Sequence, residues 1–479
     1  MHGDEVVGFY LMLHLADYIL SNAETDSLVQ EILQNVDLYI CPIENLDGTY
    51  YKSNGLIYGN SYSRRSNYHG YDLNRNYPYL PGVSGSASVQ PETQAMIDWM
   101  EPKHFVMSVN FHGGAETVNH PWDNWGYSLR SHADYDWFRY IGQNFATSCQ
   151  AQDSSFMHGT SGRAVVDGGD WYVCTGTRQD YVNYYQHCRE VTIEICDTHL
   201  LLNTARLPSF WNNSKDALLN HILECRNGFW GVVTDAETGA PVEARVDVID
   251  HDRFCSEVYS ILPLGVYHRP IMAGKYKVIV SAPCYDSDTF SVNILPGEGV
   301  RCDVRLKHCV NPPQVASQYL LAGHQATLVA LSQNTVVWYD SDTASRPIAN
   351  GQVFVTPELF ETTTYYIEEQ HWDGTLLCVS ERDSVTIFVI DTTTQRISVI
   401  SDEGLRVYPN PTSRFCYIES AVQMPLDVAL YDADGRLVLL QTLKESRQLD
   451  LEGLPMGLYF FSISHQGVPQ GIVRLVVGN

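Results

Sequence analysis

Three features that would each point to a particular class of protein are absent from the sequence or scarce in it. No apolar run among its 479 residues is long enough to cross a bilayer, so it predicts no transmembrane segment. None of its twelve cysteines stands in a CxxC pair, which argues against a zinc site built from cysteines. Basic residues are few: 30 Lys and Arg oppose 56 Asp and Glu, for a net charge of −26. This charge repels phosphate, so we expect no nucleic-acid partner, and it suits a basic substrate.

The composition and the residue patterns of the first half predict an α/β domain. With 44% hydrophobic and 18% charged residues, the chain is globular, and its length suggests about three or four domains. Apolar spacing over residues 6–20 predicts an amphipathic helix. The segments "VDLYICPI", "HFVMSVNFH" and "EVTIEICD" predict strands buried on both faces. Such strands alternating with helices indicate an α/β sheet domain over residues 1–224.

The sequence after Cys225 changes to short alternating strands between turn signals. "GFWGVVTDAETG", "TVVWYDSD" and "VALYDADGRL" are examples of this pattern. Pro312 and Pro313 mark one linker, and the Thr-rich "DTTTQR" marks another. We therefore predict three small all-β sandwich modules, at residues 226–309, 314–392 and 402–479.

A candidate metal site begins at the second residue of the chain. His2 and Glu5 are three apart, which would place both on one side of a first helical turn. His112 ends a predicted buried strand and is followed by two glycines, which allow close approach of a ligand. Two His and one Glu form a catalytic zinc set that leaves a coordination position open. An HxxE pair alone is more often an incidental pair of residues on a helix surface. The assignment of a metal site therefore depends on the other motifs.

Two further motifs carry groups suited to anion binding and proton transfer. "RSNYHGYDLNRNYP" places Arg65, Asn74 and Arg75 in one polar segment, and a guanidinium fork matches a carboxylate. Glu194 lies inside an apolar strand, where Ile193 and Ile195 face the other side of the sheet. A carboxylate in that position is either solvated or functional, and the pattern does not decide between the two.

Five segments occur in the order found in zinc metallocarboxypeptidases: "HGDEVVG", "PIENLDGTYY", "DLNRNYP", "NFHGGAETVNHPWD" and "GTRQDYVNYYQHCREVTIEI". The chain resembles the regulatory carboxypeptidase N/E branch over nearly all of residues 1–200. The module after Cys225 resembles the transthyretin-like domain of that branch. The resemblance implies a mixed sheet flanked by helices. It also implies that the chain is a fragment, because relatives carry N-terminal strands before the HxxE motif.

The resemblance assigns a metal and a catalytic set. It implies one Zn²⁺ held by His2, Glu5 and His112. Glu194 corresponds to the general base for the attacking water. Arg65 corresponds to the arginine that polarises the scissile carbonyl and stabilises the oxyanion. These assignments predict a metallocarboxypeptidase, a hydrolase acting on the last peptide bond of a chain.

The same resemblance assigns the residues that bind the substrate. Asn74 and Arg75 correspond to the clamp on its terminal carboxylate, and Tyr172 to the mobile tyrosine that closes over it. Asp123 matches the aspartate that selects Lys and Arg in the S1′ pocket, and Gln179 resembles the glutamine beside it. The other interpretation of Asp123 is a turn residue in "PWDNW". The predicted partners are therefore peptide or protein C-termini, with release of Lys or Arg.

The C-terminal motifs concern export. "VYPNPT", "YDADGR" and "LPMGLYFF" resemble the C-terminal sorting domain of the type IX secretion system of Bacteroidetes, and the middle module resembles Ig-like domains of exported proteins. This implies contact with the type IX machinery and passage through the periplasm and outer membrane to the surface or medium.

Two other functions are compatible with the sequence. One is an amidase of cell-wall or other non-standard peptides. The other is a catalytically inactive binding or surface module. The aspartate in "HPWD" argues against the first, and the full set of polar motifs argues against the second.

Overall fold

The computed structural model describes two compact units, Met1–His308 and Cys309–Asn479. Within them it describes residues 1–53, 55, 58–85, 88–159, 162–390, 406–419, 425–444, 447–465 and 468–478. The predicted linker "DTTTQR" and the predicted module boundaries at 392, 402 and 479 lie outside these residues. In the described part, no helix is both long and apolar enough to cross a membrane.

The helices of the first unit build the outer layers of its α/β domain. The first of them confirms the helix predicted over residues 6–20, and it buries its apolar side chains at a spacing of four residues. The described α-helices are α1 (Val7–Ser21), α2 (Ser27–Asn35), α3 (Leu46–Thr49), α4 (Pro91–Met100), α5 (Tyr135–Gln152), α6 (Gly168–Trp171), α7 (Arg178–Tyr185) and α8 (Leu207–Leu223).

A mixed sheet lies at the centre of this domain. Its strands are β1 (Met107–His112), β2 (Ala115–His120), β3 (Val165–Asp167) and β4 (Arg189–Cys196), in the order β1-β4-β2-β3. β1 and β4 are parallel, β4 and β2 antiparallel, and β2 and β3 parallel. Every residue of β4 is buried, as expected for a central strand. α1 packs against β1 and β4, and α5 against β2 and β3.

The prediction of a strand at "VDLYICPI" is wrong. Residues 37–43 form no strand, although the other two predicted strands are β1 and β4. Apolar, β-rich residues become a strand only when a neighbour supplies backbone hydrogen bonds. Here Tyr39 and Ile43 of the segment line the same open pocket as Val109 of β1, and the two segments form no ladder. Within the described residues, β1 pairs with β4 alone, so its other edge faces this pocket.

An all-β module follows in the same unit. Two sheets enclose one apolar core. Their strand orders are β10-β9-β6-β7 and β11-β5-β12, with β8 beside β5. This is the sandwich arrangement expected from the alternating pattern. Its strands are β5 (Gly228–Asp235), β6 (Arg245–Val248), β7 (Val258–Tyr259), β8 (Val266–Arg269), β9 (Gly274–Ser281), β10 (Asp288–Ile294), β11 (Gly299–Arg301) and β12 (Val304–Leu306).

A buried ion-pair network joins this module to the α/β domain. Asp134 lies just before α5, and its carboxylate is 2.8 Å from a guanidinium nitrogen of Arg189 and 2.8 Å from one of Arg269. His251 Nε2 lies 2.8 Å from the other carboxylate oxygen. Although burial alone would raise it, the two arginines hold the pKa of Asp134 well below its usual range. Since Arg189 begins β4, the network ties the module to the central strand.

The second unit contains two β modules with separate apolar cores. The first module contains the sheet β13-β20-β18-β15-β16, with β19 beside β18, and the sheet β14-β17. The second module contains the sheets β21-β22-β25 and β24-β23-β26-β27. The strands are β13 (Gln318–Leu321), β14 (Thr327–Val329), β15 (Thr335–Tyr339), β16 (Ala349–Asn350), β17 (Val353–Val355), β18 (Thr363–Trp372), β19 (Leu377–Val379), β20 (Asp383–Ile390), β21 (Arg406–Tyr408), β22 (Phe415–Glu419), β23 (Leu426–Tyr431), β24 (Leu437–Leu443), β25 (Gln448–Asp450), β26 (Gly457–His465) and β27 (Val468–Val477).

Candidate metal and substrate site

The candidate site lies at the carboxyl end of β1, beside β4. His112 is the last residue of β1. His2 and Glu5 do not occupy a helical turn as predicted, because α1 begins only at Val7. They lie in the preceding turn, where the Glu5 N–H donates to the His2 carbonyl at 3.4 Å. A Cβ on Gly3 would lie 2.3 Å from the Gly48 carbonyl carbon, so close backbone packing holds this turn against α3.

The three predicted ligands converge in the structure. His2 Nδ1 lies 2.9 Å from Glu5 Oε1, His112 Nδ1 lies 2.7 Å from Glu5 Oε2, and the two imidazole nitrogens are 3.0 Å apart. All three side chains are buried, and their ligand atoms lie within 4.8 Å of one another. Two imidazoles and a carboxylate that face one point fit a single divalent cation, and this donor set is typical of catalytic zinc.

Asp72 orients one of these ligands and was missed in the sequence. Its Oδ1 lies 2.9 Å from His2 Nε2, which leaves Nδ1 for a metal. Its Oδ2 accepts a hydrogen bond from Arg65 Nε at 2.9 Å. Although burial opposes ionisation, His2 and Arg65 hold the pKa of Asp72 below its usual range. The only signal in the sequence was its position two residues before Asn74.

His199 is a second residue that the sequence did not indicate. Its Nδ1 lies 3.3 Å from Glu5 Oε1, and its side chain is largely exposed. A Cβ on Gly114, whose φ is +112°, would lie 2.2 Å from the His199 ring. Gly114, the second of the two glycines after His112, therefore gives this imidazole room beside the ligand carboxylate.

Glu194 faces the ligands from the neighbouring strand. It lies directly opposite His112 in the β1–β4 pair, while Ile193 and Ile195 belong to the apolar core. Its Oε2 is buried and has no hydrogen-bond partner among the residues that the structure describes. Burial, followed by repulsion from Glu5, raises the pKa of Glu194 well above its usual value. A buried carboxyl group with a free oxygen beside the candidate ligands is placed to take up and release a proton there.

The predicted anion-binding residues lie next to the candidate metal ligands. Arg65 Nη1 is 3.3 Å from Glu5 Oε1. Asn74 Nδ2 is 3.3 Å from His112 Nε2. Arg75 donates to the Asn74 carbonyl at 2.7 Å, and its guanidinium lies 5.9 Å from the ring centroid of Tyr172, which is 47% exposed. The structure therefore places Arg65 and Asn74 against the candidate ligands, Arg75 against Asn74, and Tyr172 beside Arg75.

Asp123 lies at the centre of a buried polar cluster. Its Oδ1 accepts hydrogen bonds from Asn119 Nδ2 at 2.9 Å and from Gln179 Nε2 at 3.0 Å. Asp180 accepts the backbone N–H of Asp123 at 2.8 Å and that of Asn124 at 2.9 Å, which fixes the loop. Asp123 is therefore a buried, organised carboxylate in contact with Gln179, and the pocket role of both residues stays a prediction.

Comparison with known proteins agrees with this geometry. The family described as zinc carboxypeptidase matches residues 1–217. Mouse carboxypeptidase M is 32% identical over 316 residues, which cover 62% of this chain and 68% of the relative. The chain belongs to the zinc carboxypeptidase family. This zinc carboxypeptidase also matches human carboxypeptidase D, at 33% identity over 61% of this chain and 21% of the relative, and Arabidopsis thaliana carboxypeptidase SOL1, at 31% over 61% and 57%.

Family membership confirms several predictions. The protein is a hydrolase of the exopeptidase class, its family uses one zinc ion, and carboxypeptidases act on peptide C-termini. An Ig-like domain of the CHU_C-associated type matches residues 311–390, and a secretion system C-terminal sorting domain matches residues 406–477. The sorting domain indicates export to the medium or the cell surface through the secretion machinery.

Proposed function

We propose that this zinc carboxypeptidase releases Lys or Arg from the C-termini of peptides and proteins outside the cell. The observation that carries the proposal is the buried carboxylate of Asp123, held by the amides of Asn119 and Gln179. An apolar side chain entering this pocket would leave a buried charge unpaired, whereas an ammonium or guanidinium group would pair with it.

His2, Glu5 and His112 are the proposed zinc ligands. The convergence of their donor atoms, and the orientation of His2 by Asp72, support this assignment. Zinc bound there would act as a Lewis acid toward the scissile carbonyl and lower the pKa of water. The carboxylate of Asp72 would keep the His2 ring in place when the metal exchanges.

Glu194 is the proposed general base, and later the general acid. Its unpartnered Oε2 is free to take a proton from the attacking water and to pass it to the leaving amine. Arg65 would face the negative charge that develops on the carbonyl oxygen, since its guanidinium lies beside Glu5. The hydrogen bond from Arg65 to Asp72 would hold the guanidinium in place during this step.

Asn74, Arg75 and Tyr172 are the proposed binding site for the terminal carboxylate. A guanidinium fork can form two parallel hydrogen bonds with a carboxylate, and only a chain end offers that group here. Tyr172, half exposed and close to Arg75, would close over the bound end. This clamp would make the enzyme an exopeptidase, with the side chain of the last residue directed toward Asp123.

The β modules are proposed to serve stability and export. The sandwich formed by β5–β12 supports a transthyretin-like domain at residues 226–309, fastened by the Asp134 network. The matched regions support an Ig-like module at 314–392 and a type IX sorting domain at 402–479. A spacer is the proposed role of the Ig-like module.

The experiment that tests the proposal compares peptides that differ only in their last residue. The zinc-loaded full chain should cleave Arg- and Lys-ended peptides far faster than Leu- or Phe-ended ones. Asp123→Asn should reduce kcat/KM for basic ends by about a hundredfold, mainly through KM, because a charge-assisted pair is lost. A preference for apolar ends in the unaltered protein would contradict the proposal. Cleavage of cell-wall peptides in preference to basic ends would favour the amidase alternative.

A further inference from the structure

The pocket around Asp123 contains more hydrogen-bond acceptors than its own side chains satisfy. Asn119 and Gln179 both turn their NH₂ groups toward Asp123. As a result, Asn119 Oδ1 and Gln179 Oε1 are buried, and within the described part of the chain neither has a hydrogen-bond partner. Buried acceptors without donors are costly, so a ligand that supplies several donors would be favoured here.

A second carboxylate, that of Asp167, belongs to the same region. It ends β3 and is 6% exposed, and no described residue forms a hydrogen bond with its buried Oδ2. Its Oδ1 caps α6 by accepting the Asp170 N–H at 3.3 Å. The next residue, Gly168, is pressed against the pocket: a Cβ there would lie 2.0 Å from Asp123 Oδ1 and 2.9 Å from Asn119 Oδ1.

The electrostatic surroundings of Asp167 are acidic. Burial, followed by the nearby carboxylates of Asp170 and Asp123, raises the pKa of Asp167 to about 7. Repulsion from Asp167 also contributes to raising the pKa of Asp180, whose carboxylate accepts the backbone N–H groups of Asp123 and Asn124. A cation that entered the pocket would relieve this repulsion and keep Asp167 ionised.

The two basic side chains differ in what they offer to such a site. Lysine presents three N–H donors on a compact ammonium, whereas arginine presents five in a planar fork. Arginine has the larger number of donors and spreads them more widely. It therefore suits a site with two carboxylates and two amide oxygens that lack donors. We propose that Asp167 is a specificity-determining residue that supplies a second carboxylate to the pocket and makes C-terminal Arg preferred over Lys. This inference rests on the proposed function of Asp123.

The test measures kcat and KM for two peptides that are identical except for a terminal Arg or Lys. The zinc-loaded full chain should prefer Arg, and Asp167→Asn should lower kcat/KM for Arg by about tenfold, through KM, with a change of less than about threefold for Lys. Asn retains an oxygen that can cap α6, and Asp167→Ser, which also caps, should behave in the same way. Asp136→Asn is the matched control, since it removes one exposed carboxylate from α5 of the same unit, and it should leave the Arg-to-Lys ratio unchanged.

Two results would overturn the inference. One is an Arg-to-Lys ratio that is unchanged in both Asp167 variants, and the other is an equal loss for both substrates. If the unaltered protein prefers Leu-ended peptides and Asp123→Asn has no effect, the proposed function itself fails. If Asp123 is required for basic ends but Arg and Lys are cleaved equally well, only the role of Asp167 is refuted.

Discussion

His112 lies directly opposite Glu194 in the parallel ladder that joins β1 and β4. The backbone therefore sets the spacing between a predicted zinc ligand and the predicted base, and neither residue depends on a flexible loop. For this reason we expect substitution of one to leave the position of the other unchanged.

Glu194→Gln should retain zinc and lose most turnover. The amide cannot accept the proton of the attacking water, whereas the three ligands are untouched, so kcat should fall by about a thousandfold. Metal content by atomic absorption and single-turnover kinetics would measure both effects. Glu116→Gln is a suitable control. Glu116 lies on β2 and pairs with Ile195, whose side chain faces the core, so Glu116 lies on the face of the sheet opposite to that of Glu194. Full activity of Glu194→Gln would exclude the proposed mechanism.

Asp72→Ala should weaken zinc binding by about ten- to a hundredfold, because loss of a hydrogen-bond partner frees the ligating ring of His2. Competition with a chelator of known affinity, at fixed pH, would measure the change. Asp98→Ala on α4, which alters an exposed aspartate, serves as the control. Unchanged affinity in Asp72→Ala would show that packing alone orients His2.

Asp134→Ala should destabilise the first unit by about 3 to 5 kcal/mol, since it leaves Arg189 and Arg269 buried without their carboxylate. The pKa of Asp134 is lowered in the folded state, so its contribution is complete above the unfolded-state pKa of about 3.9 and is lost as pH falls further. Denaturant unfolding at pH 7, followed by tryptophan fluorescence, would measure the loss. A change below about 1 kcal/mol would mean that the network contributes little.

His221 should make the protein less stable in mild acid. It is buried on α8, neither ring nitrogen has a partner among the described residues, and burial lowers its pKa to about 4. The unfolded chain binds a proton near pH 6.5 and the folded chain does not, so stability falls as pH drops from about 6.5 toward 4.

His221→Leu should remove this part of the pH dependence, which amounts to about 3 kcal/mol at most. Unfolding free energies at pH 5 and pH 7.5 would show the difference, with the exposed His69→Leu as the control. An identical pH slope in His221→Leu and the unaltered protein would contradict the prediction.

A variant that ends at residue 390 should keep its peptidase activity and fail to leave the periplasm of its host. The candidate site residues all lie within Met1–His308, whereas the sorting-domain match begins at residue 406. Immunoblots of periplasm, outer membrane and medium would locate the protein. Normal delivery of the shortened chain would refute a sorting role for that domain.

The sequence predicted those parts of the site that depend on local patterns. An apolar strand interrupted by one carboxylate indicated Glu194, and a strand that ends in His-Gly-Gly indicated His112. The two-residue period of a buried strand made both residues candidates, and the resemblance to zinc metallocarboxypeptidases implied their roles. The β modules were recognisable for the same reason, since their alternation and turn residues are local signals.

Other parts depend on contacts between distant segments and could not be predicted. The turn at His2 and Glu5 is shaped by close packing of Gly3 against Gly48. His199 reaches Glu5 only because the loop after β4 returns to the site. Residues 37–43 have the composition of a strand, but composition does not show whether a partner lies beside it.

The unpaired edge of β1 has a practical consequence for handling the protein. Backbone N–H and C=O groups along such an edge can form a ladder with any extended segment that reaches them, including one from another molecule. The apolar walls beside it, among them Tyr39 and Val109, would strengthen such an encounter. Light scattering should therefore increase steeply with protein concentration. Dilute stocks and low temperature should preserve a monodisperse sample better than added salt, which screens the repulsion between chains of charge −26.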